Sequence, residues 1–468
     1  MFGGCSRSLE QKSFTLDFKS RYTGDLEFAI MSSKPHITRF NNINLRNGGS
    51  YNDKIRDAVV ANIALRTNND IMSHEACILY LNGNYWGIYG IREKMDEYYI
   101  ESNHGIDKDN PGVDLIKGRT SSPKIYSGSD AHFIDTYRIL MDVSPADSFF
   151  FNIIRERFDI DNLIDYLIVE TYVGNRDWIP NGANNVKLWR PKTENGKWRF
   201  LLYDVDISFY DSPYRNTLQE SLNPGQPSKY SDLFTKFLQN SDFRCKFGKR
   251  YMDLINTIFN SDYVSLIVDS LKDEIYNEMP RHINTWNQPD SIQSWQSDID
   301  FIKVYAQNRS ASVISDLLPY LNSSGTSQIE FDINPQNSGA IKINEIYPTQ
   351  YPWNGVFLKD LCSNTLLALA DSGYVFSHWT SSSQIGTPIY NSSLELYITQ
   401  DDTLVANFRE CSISNLSISL DTINNVFSSL FDVGFAPYQY QWFLDSVPIE
   451  MMNDSIFQPL KTGYYSVL

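Results

Sequence analysis

The rhythm of apolar and polar positions changes several times along the chain, and each change marks a different kind of structure. Near the start, "KSFTLDF" alternates with the period of a half-buried strand. "NDKIRDAVVANIALR" follows with helical spacing and offers Asn52 or Asp53 as its N-cap. "ACILYLNGNYWGIYGIRE" reads as a hairpin around Asn82-Gly83, a pair suited to a type I′ turn. Residues 101–175 mix a loop with helices, including "DIDNLIDYLIVETYV", where Ile164, Leu167 and Ile168 share one stripe. A second hairpin is expected from 186–190 and 198–204, joined by "TENGK" with Asn195-Gly196 at its tip.

From about 229 to 318 the pattern is helical almost throughout. The Ser/Gly-rich "LNSSGTSQ" at 321–328 then punctuates the chain, and short strands with turns replace helices beyond it. One compact β module runs to about Cys411. After it, "YQYQWFLDSVPIE" and "FQPLKTGYYSVL" have the strand–Trp–strand–Tyr rhythm of an immunoglobulin-like sandwich. The expected class is α+β, with domains at 1–320, 326–411 and 412–468, the last of them incomplete.

Composition narrows the function classes. At 468 residues the chain exceeds one typical core, and 42% hydrophobic with 21% charged residues is ordinary for a folded domain. The 14% aromatic content suits β-rich and extracellular modules. A net charge of −16 argues against nucleic acid as a partner, and an anionic small ligand would need a metal or local Lys and Arg to neutralise it. Cys5, Cys77, Cys245, Cys362 and Cys411 lie far apart without metal-site spacing, and their odd number forbids complete pairing. They are expected to be mostly buried free thiols. No apolar run is long enough to span a bilayer, no signal peptide is legible in "MFGGCSRSLEQKSF", and both ends read as cut.

The second hairpin carries the candidate chemistry. Asp177, Asn184 and Asn185 precede its first strand, while Asp204 and Asp206 end its second. Antiparallel pairing sets Asn185 nearly opposite Asp204. A hard cation such as Mg²⁺ takes oxygen ligands of this kind, and a second carboxylate, Asp177, is placed to accept a proton from an attacking hydroxyl. The bland alternative is that Asp177 and Asn181 cap a loop and Asp206 starts a turn. Upstream, the Gly/Ser/Arg turn of "GGCSRSLEQKSFTLDF" can present N–H groups to phosphates, with Lys12 or Lys19 on the strand to neutralise them.

Four stretches in order resemble the CotH kinase family of atypical protein kinases: "GGCSRSLEQKSFTLDF", "NNINLRNGGSYNDKIRDAVVANIAL", "LYLNGNYWGIYGIREKMDEYYI" and "NRDWIPNGANNVKLWR…GKWRFLLYDVDISF". "MPRHINTW" and "AQNRSASVISDL" fit its helical end. The resemblance implies a diverged protein-kinase-like head, with a β-rich N-lobe and a helical C-lobe, followed by small all-β domains. It implies ATP with Mg²⁺ or Mn²⁺, and phosphorylation of protein Ser or Thr. By residue it implies Asp177 as catalytic; Gly4, Ser6, Arg7, Lys12 and Glu93 as ATP-binding; and Asn185 with Asp204 or Asp206 as metal-binding. "DWIPNGANN" is longer than that family's usual spacing. The tail resembles β-repeats and Ig-like domains of bacterial surface proteins, which implies an extracellular or cell-surface location and a surface or polysaccharide contact. The competing functions are a non-catalytic surface binding or adhesion protein on the same scaffold, and a two-carboxylate glycosidase, for which no feature sets a carboxylate pair.

Overall fold

The protein is described here by a computed structural model over residues 5–18, 24–49, 51–120 and 122–411, and beyond these over the short stretches 417–421, 426–430, 442–445, 447–449, 456–458 and 465–467. The chain is mixed α+β and forms two compact units, 1–326 with 358–362, and 327–357 with 363–468.

In the first unit an antiparallel sheet has the order Phe14–Asp17, Asn42–Arg46, Asn84–Arg92, His74–Leu81. The turn joining its last two strands has φ of 50° at Asn82 and 82° at Gly83, the positive pair that a type I′ turn requires. The helix Arg56–Ala64 starts later than its pattern suggests. Ile55, not Asn52 or Asp53, holds its N-cap position, while Asp53 Oδ1 accepts from the N–H groups of Ile55 and Arg56 at 3.1 and 2.9 Å and so fixes the turn that leads into it.

A second sheet has the order Asp70–Ile71, Arg199–Leu202, Lys187–Pro191, Val113–Lys117, Lys124–Ser127. The helix Ile160–Tyr172 packs on its Arg199–Leu202 strand. Every residue from Asn162 to Tyr172 is buried, so this helix is enclosed rather than one-sided. Polar groups on it are bonded to other segments: Arg250 donates to Asp165 at 2.7 Å, and Asn162 bonds both the N–H and the C=O of Phe200.

The hairpin within this sheet pairs Lys187 with Leu201 and Trp189 with Arg199. Its turn differs from the Asn-Gly expectation, since neither Asn195 nor Gly196 has positive φ. Glycine is needed there for close approach: a Cβ on Gly196 would lie 2.1 Å from the Pro191 carbonyl oxygen. Arg190 ties the turn down by donating to the Gly196 and Thr193 carbonyls at 3.2 and 2.7 Å.

Helices Lys229–Gln239, Ser241–Ile255, Ser261–Tyr276, Met279–Trp286 and Ile292–Leu321 complete the first unit. Cys245 in one of them is disulfide-bonded to Cys362, with Cα atoms 5.8 Å apart. This corrects the expectation of free thiols for these two residues. They are 117 positions apart, and no local spacing signals a partner that only tertiary folding supplies. Cys77 is a free thiol, partly buried, and Cys411 is free and exposed.

The second unit pairs a sheet of Trp353–Leu358, Thr326–Asn334, Asp402–Glu410 and Tyr374–Ser381 with one of Gly339–Ile343, Asn364–Ala370 and Ser393–Leu396. Alternate residues of these strands form one core around Ile329, Phe331, Ile341 and Leu404. Trp379 is fully buried in it and Trp353 packs against it, so both are core residues rather than a ligand platform. Most of the 412–468 stretch expected to be Ig-like lies outside the described residues. Trp442, on a short described strand, is fully buried.

Candidate functional site

The register of the second hairpin brings the segments before Lys187 and after Leu202 to the same end of the sheet. Asp177 lies there, gripped by amides. Its Oδ1 accepts from Nδ2 of Asn181 and Asn184 at 2.6 and 2.8 Å, and its Oδ2 from Asn184 and Asn185 at 2.8 and 2.9 Å. Behind it, Asn175 Oδ1 accepts from the Asp177 backbone N–H at 3.0 Å, and Asn175 Nδ2 donates to Glu170 Oε2 at 2.8 Å. Glu170 is fully buried, and desolvation pushes its carboxyl up to about 8 against the hydrogen bonds of Asn175 and Tyr166, with the Asp177 charge adding to the rise. It therefore holds a proton at neutral pH.

Asp204 and Asp206 are held differently. Arg46, at the end of Asn42–Arg46, places Nη1 2.9 Å from Asp204 Oδ1 and Nη2 3.0 Å from Asp206 Oδ2. The same guanidinium lies 3.5 Å from Asp57, which Arg92 contacts at 2.6 Å. Burial alone would raise Asp57, but Arg92 and Arg46 outweigh it and hold the carboxyl below its ordinary range. Asp206 is pushed up to about 7, by desolvation first, and by the Asp204 charge against the pull of Arg46. The Gly48-Gly49 turn makes room for it: Gly49 has φ of 76°, and a Cβ there would lie 2.5 Å from Asp206 Oδ2.

Strain gathers at this place. Ala183, Asn185 and Asp204 all have left-handed φ, of 58°, 53° and 57°. Such conformations cost roughly 1 kcal/mol or more each and persist where surrounding contacts over-determine them.

Cations line the neighbouring strands. Lys117 and Lys187 are direct cross-strand partners, and like charges in that register repel. Lys117 Nζ donates to Asn185 Oδ1 at 3.2 Å. Lys187 is buried, donates to the Met95 carbonyl, and lies 4.6 Å from the Tyr126 ring and 5.3 Å from that of Tyr203. Desolvation pulls its ammonium down to about 8, with Lys117 among the groups lowering it. Lys117 thus meets the amide that also grips Asp177, whereas the Lys187 ammonium is turned to the Met95 carbonyl, with Asp96 and Glu97 among its charged neighbours.

The other nominated residues lie elsewhere. Gly4 and the Ser6 side chain fall outside the described residues, and Arg7 is exposed in the turn Cys5–Ser8. Lys12 Nζ folds back onto that turn, donating to the carbonyl of Arg7 at 2.8 Å and to that of Leu9. Glu93 is buried against Lys34 at 2.6 Å and also accepts from the Ser73 N–H and Asn103. The structure thus brings Asp177, Asn185, Asp204 and Asp206 together, and engages Lys12 and Glu93 with other protein groups.

The family model for "CotH kinase protein" matches residues 1–313, two thirds of the chain. The chain belongs to the CotH kinase family. Among curated proteins it is similar to Invasin CotH3 and Invasin CotH2 of Rhizopus delemar, at 28% and 25% identity over 112 residues. Each match covers 23% of this chain and 19% of the relative, so it spans about a fifth of the curated proteins' length. Both relatives are fungal, whereas the tail motifs pointed to bacterial surface proteins. Among the described residues no helix is long and apolar enough to cross a membrane.

The sequence pattern did not point to several residues around this cluster: Arg46, Lys117, the neighbouring Lys187, and the Glu170–Asn175 support. Arg46 stands in "LRNGG", where the glycines advertise a tight backbone and the arginine is the residue placed to use it. Lys187 follows two asparagines in "NNVKLW" on a strand whose neighbours are buried, which is a signal in itself. Lys117 carries no local cue, because only the sheet order brings its strand alongside.

Proposed function

We propose that this CotH chain is an exported atypical protein kinase that moves the γ-phosphoryl group of ATP to a protein Ser or Thr. The observation that carries the reading is the convergence of Asp177, Asn185 and the Asp204–Asp206 pair with Lys117 at one end of the hairpin. Asp177 has the role of orienting the acceptor hydroxyl and accepting its proton, as the oxygen joins the γ-phosphorus and the bond to ADP breaks. Lys117, bonded to Asn185, offsets phosphate charge. Asp204 and Asp206 already share one cation, the Arg46 guanidinium, and this donor set fits Mg²⁺ or Mn²⁺, with Asn185 beside it. Such an ion, when bound, neutralises charge on the phosphates.

The Cys245–Cys362 disulfide supports export, because such bonds persist in oxidising compartments. The β-rich second unit is then suited to hold the enzyme at a surface or on polysaccharide. A second reading has its own observation: Arg46 occupies both metal-side carboxylates, as it would in a non-catalytic binding scaffold, and the relatives are named invasins. Incubation with γ-labelled ATP and Mg²⁺ or Mn²⁺, with and without chelator, separates the two. Metal-dependent label on Ser or Thr, of an added acceptor or of the chain itself, is the expected result. No transfer and no nucleotide binding by calorimetry would leave the scaffold.

A further inference from the structure

Asp177 has a second side. A cavity of about 410 Å³ opens against it, lined by Tyr51, Arg176, Asp177, Ile207, Tyr210 and Arg215 among others. Its lining includes none of Asn185, Asp204, Lys117 or Lys187, so the carboxylate of Asp177 is the boundary between this space and the phosphate-facing cluster.

Two guanidiniums give the cavity its character. Arg176 Nη1 lies 3.2 Å from Asp211 Oδ2, and its guanidinium sits 4.9 Å from the Tyr210 ring. Arg215 is anchored by Glu220, with Nε donating to both carboxylate oxygens at 2.8 Å. This anchoring leaves Arg215 Nη1 buried without a hydrogen-bond partner, 4.0 Å from the same oxygen of Asp211. Asp211 is itself 57% exposed and has a left-handed φ of 65°. One half-exposed carboxylate, Asp211, thus stands between two arginines that line the cavity, in the place an incoming carboxylate would take. Tyr51 and Tyr210 meet edge-on at 5.9 Å and add an aromatic surface for a peptide backbone to lie on.

Resting on the kinase reading above, we propose that this cavity receives the acceptor segment, and that Arg176 and Arg215 select a Ser or Thr flanked by an acidic side chain. The incoming carboxylate replaces Asp211 between the two guanidiniums and so fixes the hydroxyl against Asp177. Local chemistry here opposes the global field. With a net charge of −16 the chain repels acidic peptides at long range, so a preference for them has to arise within the cavity.

The test measures fluorescence anisotropy of labelled Ser peptides flanked by Glu, Ala or Lys, with the full chain in about 0.15 M salt, where charges beyond about 8 Å are screened. Glu-flanked peptides are expected to bind about threefold or more tighter than Ala-flanked ones. Arg176→Glu should remove or reverse that order, and Asp211→Ala should tighten acidic-peptide binding. Arg176 is 42% exposed, so its replacement leaves the core intact, which an unchanged thermal midpoint verifies. Equal binding of the three peptides, a Lys preference, or a Glu preference that survives Arg176→Glu overturns the proposal. Phosphotransfer to the same peptides is read in parallel. Transfer without charge preference removes this inference and leaves the kinase. Charge-selective binding without transfer removes the kinase and leaves the cavity as an acidic-peptide site.

Discussion

Asp177 and Asp204 sit at the same end of one hairpin, yet they are held by different chemistry. Neutral amides of Asn181, Asn184 and Asn185 fix Asp177, whereas the Arg46 guanidinium spans Asp204 and Asp206. A neutral amide orients a carboxylate without bringing a counter-charge to it. A guanidinium does bring a counter-charge, and Arg46 supplies it to the Asp204–Asp206 pair. One segment thus sets an amide-held carboxylate and a guanidinium-bridged carboxylate pair side by side.

Removing the balancing cation has the largest expected effect. Arg46→Met leaves Asp57, Asp204 and Asp206 without their shared partner and should cost about 3–5 kcal/mol, seen as a lowered thermal midpoint. Added Mg²⁺ should restore part of it in the variant. No response to Mg²⁺ would mean that the pair does not accept a replacement cation.

Asp177→Asn comes next. It keeps the shape within the amide cage and removes the charge, so phosphotransfer should fall by about 10²-fold or more with nucleotide affinity nearly unchanged. Equal loss of affinity would erase the distinction between the two carboxylate sites. Asp204→Asn should show the opposite signature. Metal-dependent nucleotide binding should weaken by roughly tenfold in calorimetric titration, since an ionic ligand is lost. Stability should change little, because this side chain is 39% exposed.

The smallest effect is in pH dependence. Glu170, behind Asp177, has a folded-state value near 8 against an ordinary 4.5. Its contribution is fully present below about 4.5 and is lost as pH rises through 8, at no more than about 1.4 kcal/mol per pH unit. Glu170→Gln should flatten that slope in denaturant melts across the range. On the Arg46 side the sign reverses. Burial, then Arg92, pull His74 down to about 3 from 6.5, so its contribution is present above 6.5 and lost as pH falls through 3. An unchanged alkaline slope in Glu170→Gln would mean that the proton behind Asp177 is not held there.

Much of this was legible along the chain because the governing interactions are local. The Asn82-Gly83 turn follows from the positive φ that these two residues tolerate, and the turn into the helix Arg56–Ala64 from the Asp53 side chain, which bonds N–H groups two and three residues on. The convergence of Asn185 and Asp204 follows from antiparallel pairing across a short turn, in which sequence order alone dictates which ends meet. The change from helical to alternating pattern near 321–328 likewise follows from period alone.

What the tertiary structure decided depends on partners that local pattern cannot encode. Lys117 faces Lys187 only because the strand Val113–Lys117 lies next to Lys187–Pro191 in the sheet order. Arg46 reaches Asp206 across 160 positions, and Cys245 reaches Cys362 across 117. Lys12 and Glu93 had the right residue type for phosphate or nucleoside contact, but a long side chain goes to whichever acceptor or donor the fold brings within reach. Here those were the Arg7 carbonyl and Lys34. Backbone periodicity and turn chemistry act over a few residues and can be read from the chain. Ion pairing, desolvation and cross-linking act through space, so they are settled only when distant segments have been packed together.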